Sequence, residues 1–383
     1  MTFLFWLGLL TLVIYSLLGL DLVLGNRTVR FLRDIRPELP HRPPRVSVIV
    51  AARNEERNLR AALTSLLALD YPDYELIVVN DRSLDRTGAI LEEMTATVQR
   101  LRVVHVAGLQ PGWLGKNHAL WIGSNCASGE LLLFTDADIV MAPSTLTRAV
   151  AFMLENNLAH LAVTPETHMP STFLDMFGAS FILFFSLFAR PWKAKDPKSS
   201  CHIGIGAFNL VQANAYRQVG GHEAIRMRPD DDLKLGKIVK QGGFRQDVLY
   251  GAGFLSVEWY ATVSDLIRGL EKNSFAGTDY RVSLVCLGIV FHCLGSVFPF
   301  IALFVTHGPA RAVYAAVVCL IILLFMDSTR FHNAKAWYVI GFPLTALLFA
   351  WILLRTMVLN LAQGGITWRG TFYPLAELRK NKV

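Results

Sequence analysis

Charge is what this sequence has least of. Only 17% of its 383 residues are Asp, Glu, Lys or Arg, against 53% hydrophobic, where a soluble domain carries about 25% charged and about 45–50% apolar residues. The shortage excludes a disordered chain, a coiled coil and an enzyme wholly exposed to water. Cysteine is sparse too. Cys126, Cys201, Cys286, Cys293 and Cys319 show neither C-x-x-C nor C-x-x-H spacing, which argues against structural zinc and against a disulfide framework. Neither G-x-G-x-x-G nor G-x-x-x-x-G-K-[ST] stands on any strand-to-helix turn, so dinucleotide and P-loop readings lose their main support. Three late apolar runs, Val282–Thr306, Ala312–Met326 and Ala336–Leu354, contain no Asp, Glu, Lys or Arg. Transporters place ionisable groups inside the membrane, and these runs have none.

What is present begins with another apolar run. From Met1 to Leu24 the only charge is Asp21, and about 20 apolar residues suffice to span a bilayer. No Lys or Arg precedes the run and no A-x-A-like site follows it, which favours an uncleaved signal anchor over a cleaved signal peptide. The expected organisation is a membrane helix at 1–25, a cytosolic domain at 26–281, a membrane region of two or three spans at 282–359, and a basic tail at 360–383. The middle late run is short and could be re-entrant or a buried helix.

Arg27, Arg30, Arg33, Arg36, Arg42 and Arg45 crowd the exit of the first span. Positive flanks stay in the cytoplasm, so the domain that follows is expected there. The same flanks account for part of the +7 net charge and make the lipid bilayer, not nucleic acid, the expected partner. The tail raises a conflict. It carries Arg369, Arg379, Lys380 and Lys382, yet three late crossings would put it outside.

Between the spans, strands and helices alternate. Val46–Ala52, Tyr74–Asn80, Leu101–Val106 and Leu131–Thr135 read as strands. Glu55–Leu69, a segment from Leu84, and Asn117–Ala127 read as helices. This order predicts an α/β domain with a doubly wound, mostly parallel sheet, which binds ligands beyond the carboxyl ends of its strands. There the sequence turns polar, with Arg53-Asn54-Glu55-Glu56, Asp81-Arg82-Ser83 and Asp136-Ala137-Asp138. Asp136 and Asp138 are two residues apart at a strand end and so share a face. Such a pair suits Mg²⁺ or Mn²⁺, with water and phosphate completing the shell. Capping of the next helix, near Pro143, is the plainer alternative.

VSVIVAARNE (Val46–Glu55), VVND (Val78–Asp81), PGWLGKNHAL (Pro111–Leu120), FTDAD (Phe134–Asp138) and GGHEAIR (Gly220–Arg226) followed by Asp230-Asp231-Asp232 together resemble the family 2 glycosyltransferases, whose nucleotide-binding domain has the GT-A fold. The resemblance covers most of the domain in the family's order. Trp113–Lys116 and Trp368-Arg369-Gly370 are most similar to the membrane-anchored members that glycosylate ceramide, hopanoids or carotenoids.

The resemblance implies contacts from Asn54, Glu55 and Asp81 to the donor's nucleoside, and puts Asp136 near the ribose and the metal, with Asp138 as metal ligand. Asp232 would be the general base and Asp231 its neighbour. Lys116 opens a helix, where its charge and the helix dipole both favour phosphate; His118 reads as a helix-face residue. The family's Gln-x-x-Arg-Trp string is missing. In its place Arg268 and Lys272 share a helical face and are candidates for the diphosphate, with Trp113 a candidate for the acceptor or diphosphate. Phe173–Arg190 is apolar enough for an interfacial helix, and Gly204–Leu210 and Gly220-Gly221 offer backbone that an acceptor could approach.

The expected function is inverting, metal-dependent transfer of one sugar from a nucleotide sugar, a UDP-sugar in the first instance, to a membrane lipid at a bacterial inner membrane. A processive polysaccharide synthase and a non-catalytic nucleotide-binding subunit are the alternatives.

Overall fold

The computed structural model describes residues 3–383, which divide into two compact units. One comprises Val29–Glu166, Pro191–Glu258 and Lys380–Val383; the other comprises the chain up to Thr28, Thr167–Arg190 and Trp259–Arg379.

The first unit is built on seven strands: β1 (Val46–Ala52), β2 (Tyr74–Asp81), β3 (Leu101–Val106), β4 (Leu131–Asp136), β5 (His160–Thr164), β6 (Asn209–Gln212) and β7 (Gln246–Tyr250). Their spatial order is β3-β2-β1-β4-β6-β5-β7. β1 lies between β2 and β4 in parallel register, Val50 opposite both Val78 and Thr135. The period of two in β1 decides its packing. Val46, Val48 and Val50 enter one apolar layer, with Leu59, Leu63 and Leu76, while Ile49 enters the other beside Leu132 and Phe134. A strand buried on both faces needs the unbroken apolar run that the sequence supplies.

Two details depart from the sequence pattern. β6 runs antiparallel to both β4 and β5, so the sheet is mixed, though mostly parallel. The helix expected from Glu55 begins only at Leu59 (α1, Leu59–Leu67). Asn54 takes a left-handed φ of 53°, and the amides of Glu55 and Glu56 are claimed by Thr87 Oγ1 and Asp85 Oδ2. The remaining helices used below are α2 (Thr87–Thr95), α3 (Gly115–Cys126) and α4 (Asp231–Gln241).

The second unit is helical. Among the described residues, five helices are long and apolar enough to cross a membrane. Phe3–Asn26 and Gly308–Thr329 pack side by side. A Cβ on Gly8 would stand 3.1 Å from the Tyr314 ring, and one on Gly19 2.8 Å from Leu324. Arg27 forks onto Asp327 at 2.7 and 2.9 Å. Gly308–Thr329 is longer than the run Ala312–Met326 because Pro309 opens it and Arg311 sits in its first turn. The apolar segment from Phe173 forms the helix Thr172–Ala189, closed by Arg190 in left-handed conformation, φ 47°. Val263–Asn273 is amphipathic and buries Leu266 and Leu270 against Ile352 and Phe177.

Candidate active site

The polar residues predicted at the strand ends fall into two groups. At the end of β2, Asp81 is buried and already neutralised. Arg82 Nε and Nη2 donate to its two carboxylate oxygens at 2.7 and 2.9 Å, and Arg53 Nη1 lies 3.6 Å from Oδ2. This trio packs on the first residue of α3, where a Cβ on Gly115 would fall 2.6 Å from Asp81 Oδ2 and 2.7 Å from Arg82 Nη2. Asn54 ties the neighbouring turns together: its amide donates to Ser83 Oγ at 3.1 Å, and its Oδ1 accepts from the Leu84 amide at 2.8 Å.

At the end of β4 the balance is different. Lys116, on the first turn of α3, stands 2.8 Å from Asp136 Oδ1 and 3.4 Å from Asp231 Oδ2. Burial alone would lower the proton affinity of its ammonium; Asp136, Asp231 and Asp232 outweigh burial and raise it well above the ordinary lysine value. Burial, then the like charges of Asp136 and Glu55, push the Asp138 carboxyl up to about 7. Burial also raises Asp232, with Lys116 opposing.

Asp230, Asp231 and Asp232 have separate partners. Asp230 is locked by buried Arg228, whose Nε and Nη2 each donate at 2.9 Å. Such a fork fixes geometry as well as charge. Asp231 faces Lys116. Asp232 is oriented by two backbone amides, Gly206 N–H to Oδ2 at 2.8 Å and Leu233 N–H to Oδ1 at 2.7 Å. The preceding turn is held to α3 by Asn117, whose Nδ2 donates to Ile225 O and Arg228 O at 2.8 and 2.9 Å.

Gly206, inside the Gly204–Leu210 segment that the sequence offers to an acceptor, and His222, inside the Gly220–Arg226 motif, both line the pocket with Lys116, Asp136, Asp231 and Asp232, a placing the sequence alone does not assign to either. The Gly206 carbonyl accepts from Asp136 N–H at 3.1 Å while its own N–H bonds Asp232. A Cβ there would come within 2.6 Å of Asp136 Oδ2 and 3.5 Å of Asp232 Oδ2. Gly206 therefore sets the spacing of the two carboxylates. His222 stacks edge-on to Phe134 at 4.7 Å and shares a hydrogen bond with Tyr216; burial and then Lys116 hold it neutral, at about 3.

Other expected residues have partners of their own. Trp113 is buried against His118 and Trp121, with ring centroids 5.6 and 5.2 Å away. Arg268 and Lys272 belong to the helical unit; Arg268 is exposed and Lys272 lies 4.2 Å over the Trp368 ring. Gly204 meets the chain's own backbone, since a Cβ on it would overlap Asp232 O at 1.8 Å.

Among the described residues no three His, Cys, Asp or Glu side chains form a ready cage for a metal. Asp136 and Asp138 still fit a divalent cation. Two hard carboxylates sit together, one with its proton affinity raised by burial and like charge, and a cation there would relieve that repulsion.

Residues 47–220 match the model of the family described as Glycosyl transferase family 2. Over 342 residues the chain is 23% identical to a 4,4'-diaponeurosporenoate glycosyltransferase of Staphylococcus aureus (strain MRSA252), an alignment covering 87% of this chain and 89% of that protein. Among solved structures, a mannosyltransferase of Pyrobaculum calidifontis in complex with GDP-Man and Mn²⁺ superposes with a TM-score of 0.56 at 18% identity, covering 94% of this chain and 99% of the other. At that identity the likeness establishes the fold. The strand-end acids, the Lys116 cluster and these likenesses converge: the chain carries a family 2 glycosyltransferase domain of GT-A fold and is a glycosyltransferase.

Proposed function

We propose that the enzyme transfers one sugar from a nucleoside diphosphate sugar to a membrane lipid of the carotenoid class, inverting the anomeric centre. The observation that carries this reading is the placing of Asp232 and Lys116 around one pocket, the first with raised proton affinity and the second charged among acids. The acceptor class rests on the diaponeurosporenoate relative and on the apolar helices.

In this reading Asp232, aimed by the Gly206 and Leu233 amides, takes the proton of an acceptor hydroxyl as that oxygen bonds the anomeric carbon. A carboxylate with elevated proton affinity is the better base for this step. The bond from the anomeric carbon to the diphosphate breaks on the opposite face, which inverts the centre. Lys116 at the start of α3 neutralises the departing diphosphate together with the helix dipole. Asp136 and Asp138 would hold Mg²⁺ or Mn²⁺, which would supply further neutralisation of the leaving group; the mannosyltransferase of the same fold was solved in complex with GDP-Man and Mn²⁺. Asn54, Glu55 and the Asp81–Arg53–Arg82 cluster flank the nucleoside. Asp231 keeps Lys116 in place. The basic residues from Arg27 to Arg45 put the domain on the cytoplasmic face.

The test is transfer of radiolabelled sugar from UDP- and GDP-sugars to membrane lipids, with mass spectrometry of the product. Asp232→Asn is expected to lose about 10²- to 10⁴-fold in kcat while binding the donor nucleotide as the parent does. Near-parental turnover would remove Asp232 as base, and an acceptor that is already a carboxylate would then be the simpler reading.

A further inference from the structure

We propose that only three of the five long apolar helices cross the membrane. Thr172–Ala189 and Phe342–Gln363 instead lie within the leaflet facing the transferase domain and form an embedded platform. The inference rests on residence in a bilayer and not on the sugar-transfer chemistry.

Thr172–Ala189 is decided by the sheet. β5 ends at Thr164 before this helix and β6 begins at Asn209 after it, yet the two strands pair directly. A crossing would strand the halves of one sheet on opposite faces. The chain from Pro191 to Phe208 contains no helix long enough to return, and unpaired backbone does not cross hydrocarbon. The helix ends also carry charge: Asp175 accepts from Tyr338 at 3.0 Å, and Arg190 lies 3.5 Å from Asp21 near the domain end of the first helix.

The C-terminal helices are decided by parity. Residues 380–383 belong to the domain, where Asn381 Oδ1 accepts from Met227 N–H at 2.9 Å and its Nδ2 donates to Ala224 O at 2.8 Å. From Glu258 to Lys380 the number of crossings is therefore even. Phe3–Asn26 and Gly308–Thr329 run parallel, since Gly8 meets Tyr314, Gly19 meets Leu324 and Arg27 pairs with Asp327. Covalent continuity from Thr28 to Val29 puts the Arg27–Asp327 end on the domain side, so Gly308 starts on the far side. Val282–Val305 must then cross to reach it.

Phe342–Gln363 starts on the domain side and must also end there. Beyond it, Gly365–Trp368 and Thr371–Pro374 form a hairpin, and Leu375 N–H bonds Gly364 O at 2.8 Å. Leu375 is thus back at the helix end, and five further residues extend at most about 18 Å, short of the roughly 30 Å hydrocarbon core.

The surface of Phe342–Gln363 fits one leaflet. Leu344, Leu347, Trp351, Leu354, Val358 and Leu361 are exposed in a single stripe along its length, while Thr345, Ala346, Thr356 and Asn360 are buried on the other side. Arg355 pairs with Glu271 at 2.8 Å partway along, a position suited to an interface and costly at the bilayer centre. This arrangement also removes the charge conflict. Arg330, Lys335, Arg369, Arg379, Lys380 and Lys382 all fall on the domain side, with Arg311 near the far side.

The experiment labels single cysteines with a membrane-impermeant maleimide in sealed vesicles of one orientation. Lys198→Cys, His307→Cys, Lys335→Cys and Lys382→Cys are each made in the full chain freed of its five native cysteines. Reaction in detergent verifies that each thiol is reactive. Lys198, Lys335 and Lys382 positions are expected to label together, and His307 only from the opposite face. Lys382 labelling with His307 would mean that Phe342–Gln363 crosses. Lys335 labelling with His307, or all four labelling from one face, would overturn the Gly308–Thr329 crossing and with it the proposal.

Discussion

Two strand ends of the sheet carry acids in equal need of a partner and meet that need differently. At the end of β2, Asp81 has two arginines bonded or close to it. At the end of β4, Asp136 shares Lys116 with Asp231 and Asp232, and Asp138 feels the charges of Asp136, Glu55 and Lys116. Both ends follow the same kind of buried apolar strand and look alike as D-containing turns. The difference teaches that local charge balance, more than the count of carboxylates, marks where an added cation and a diphosphate fit.

Removing Lys116 breaks the second cluster most directly. Lys116→Met leaves the acids without their internal cation and is expected to lower kcat/KM about 10²- to 10³-fold, measured by transfer from the radiolabelled donor. Gly206→Ala sharpens the comparison by a smaller step. Its methyl would enter between Asp136 and Asp232, and a loss of up to about 100-fold in kcat is expected from misplaced carboxylates, with thermal unfolding close to the parent.

A neutralised acid in each cluster should then have opposite effects on stability. Asp81→Asn removes the carboxylate that Arg53 and Arg82 both approach and is expected to cost roughly 1–3 kcal/mol. Asp138→Asn removes a like charge from a crowded site and is expected to leave the metal-free domain as stable or more so. Thermal melts of the two variants side by side read the contrast; equal destabilisation would erase it.

Much of this was legible in the sequence because strands buried on both faces announce themselves. β1 to β4 fall where their apolar runs predict, and the polar residues that follow them are Asn54, Glu55, Asp81, Asp136 and Asp138. Lys116 and Asp231–Asp232 were singled out by resemblance, and the fold brings them together. Three things were not legible. Arg82 directly follows Asp81, but nothing local says it will fold back onto that carboxylate, which needs its left-handed φ of 55°. Gly206 reaches the site through β6, whose antiparallel insertion between β4 and β5 follows from long-range pairing and leaves no periodic signature. Gly308–Thr329 was underestimated because a charge-free window stops at Arg311, although a helix end at the interface tolerates a charge.

The central claim, that Asp136 and Asp138 hold a divalent cation, is most directly tested by Mn²⁺ binding followed by electron paramagnetic resonance, with UDP or GDP present. Burial and like charge push the Asp138 carboxyl up to about 7, so protons compete with the cation below that pH. Equally, the metal-free folded state binds more protons than the unfolded chain between about pH 4 and 7, and stability from this group falls as pH rises through that window. Parental enzyme is expected to bind Mn²⁺ more tightly at pH 8 than at pH 6, and Asp138→Asn to lose both the binding and its pH dependence. Unchanged Mn²⁺ affinity in Asp138→Asn would contradict the account.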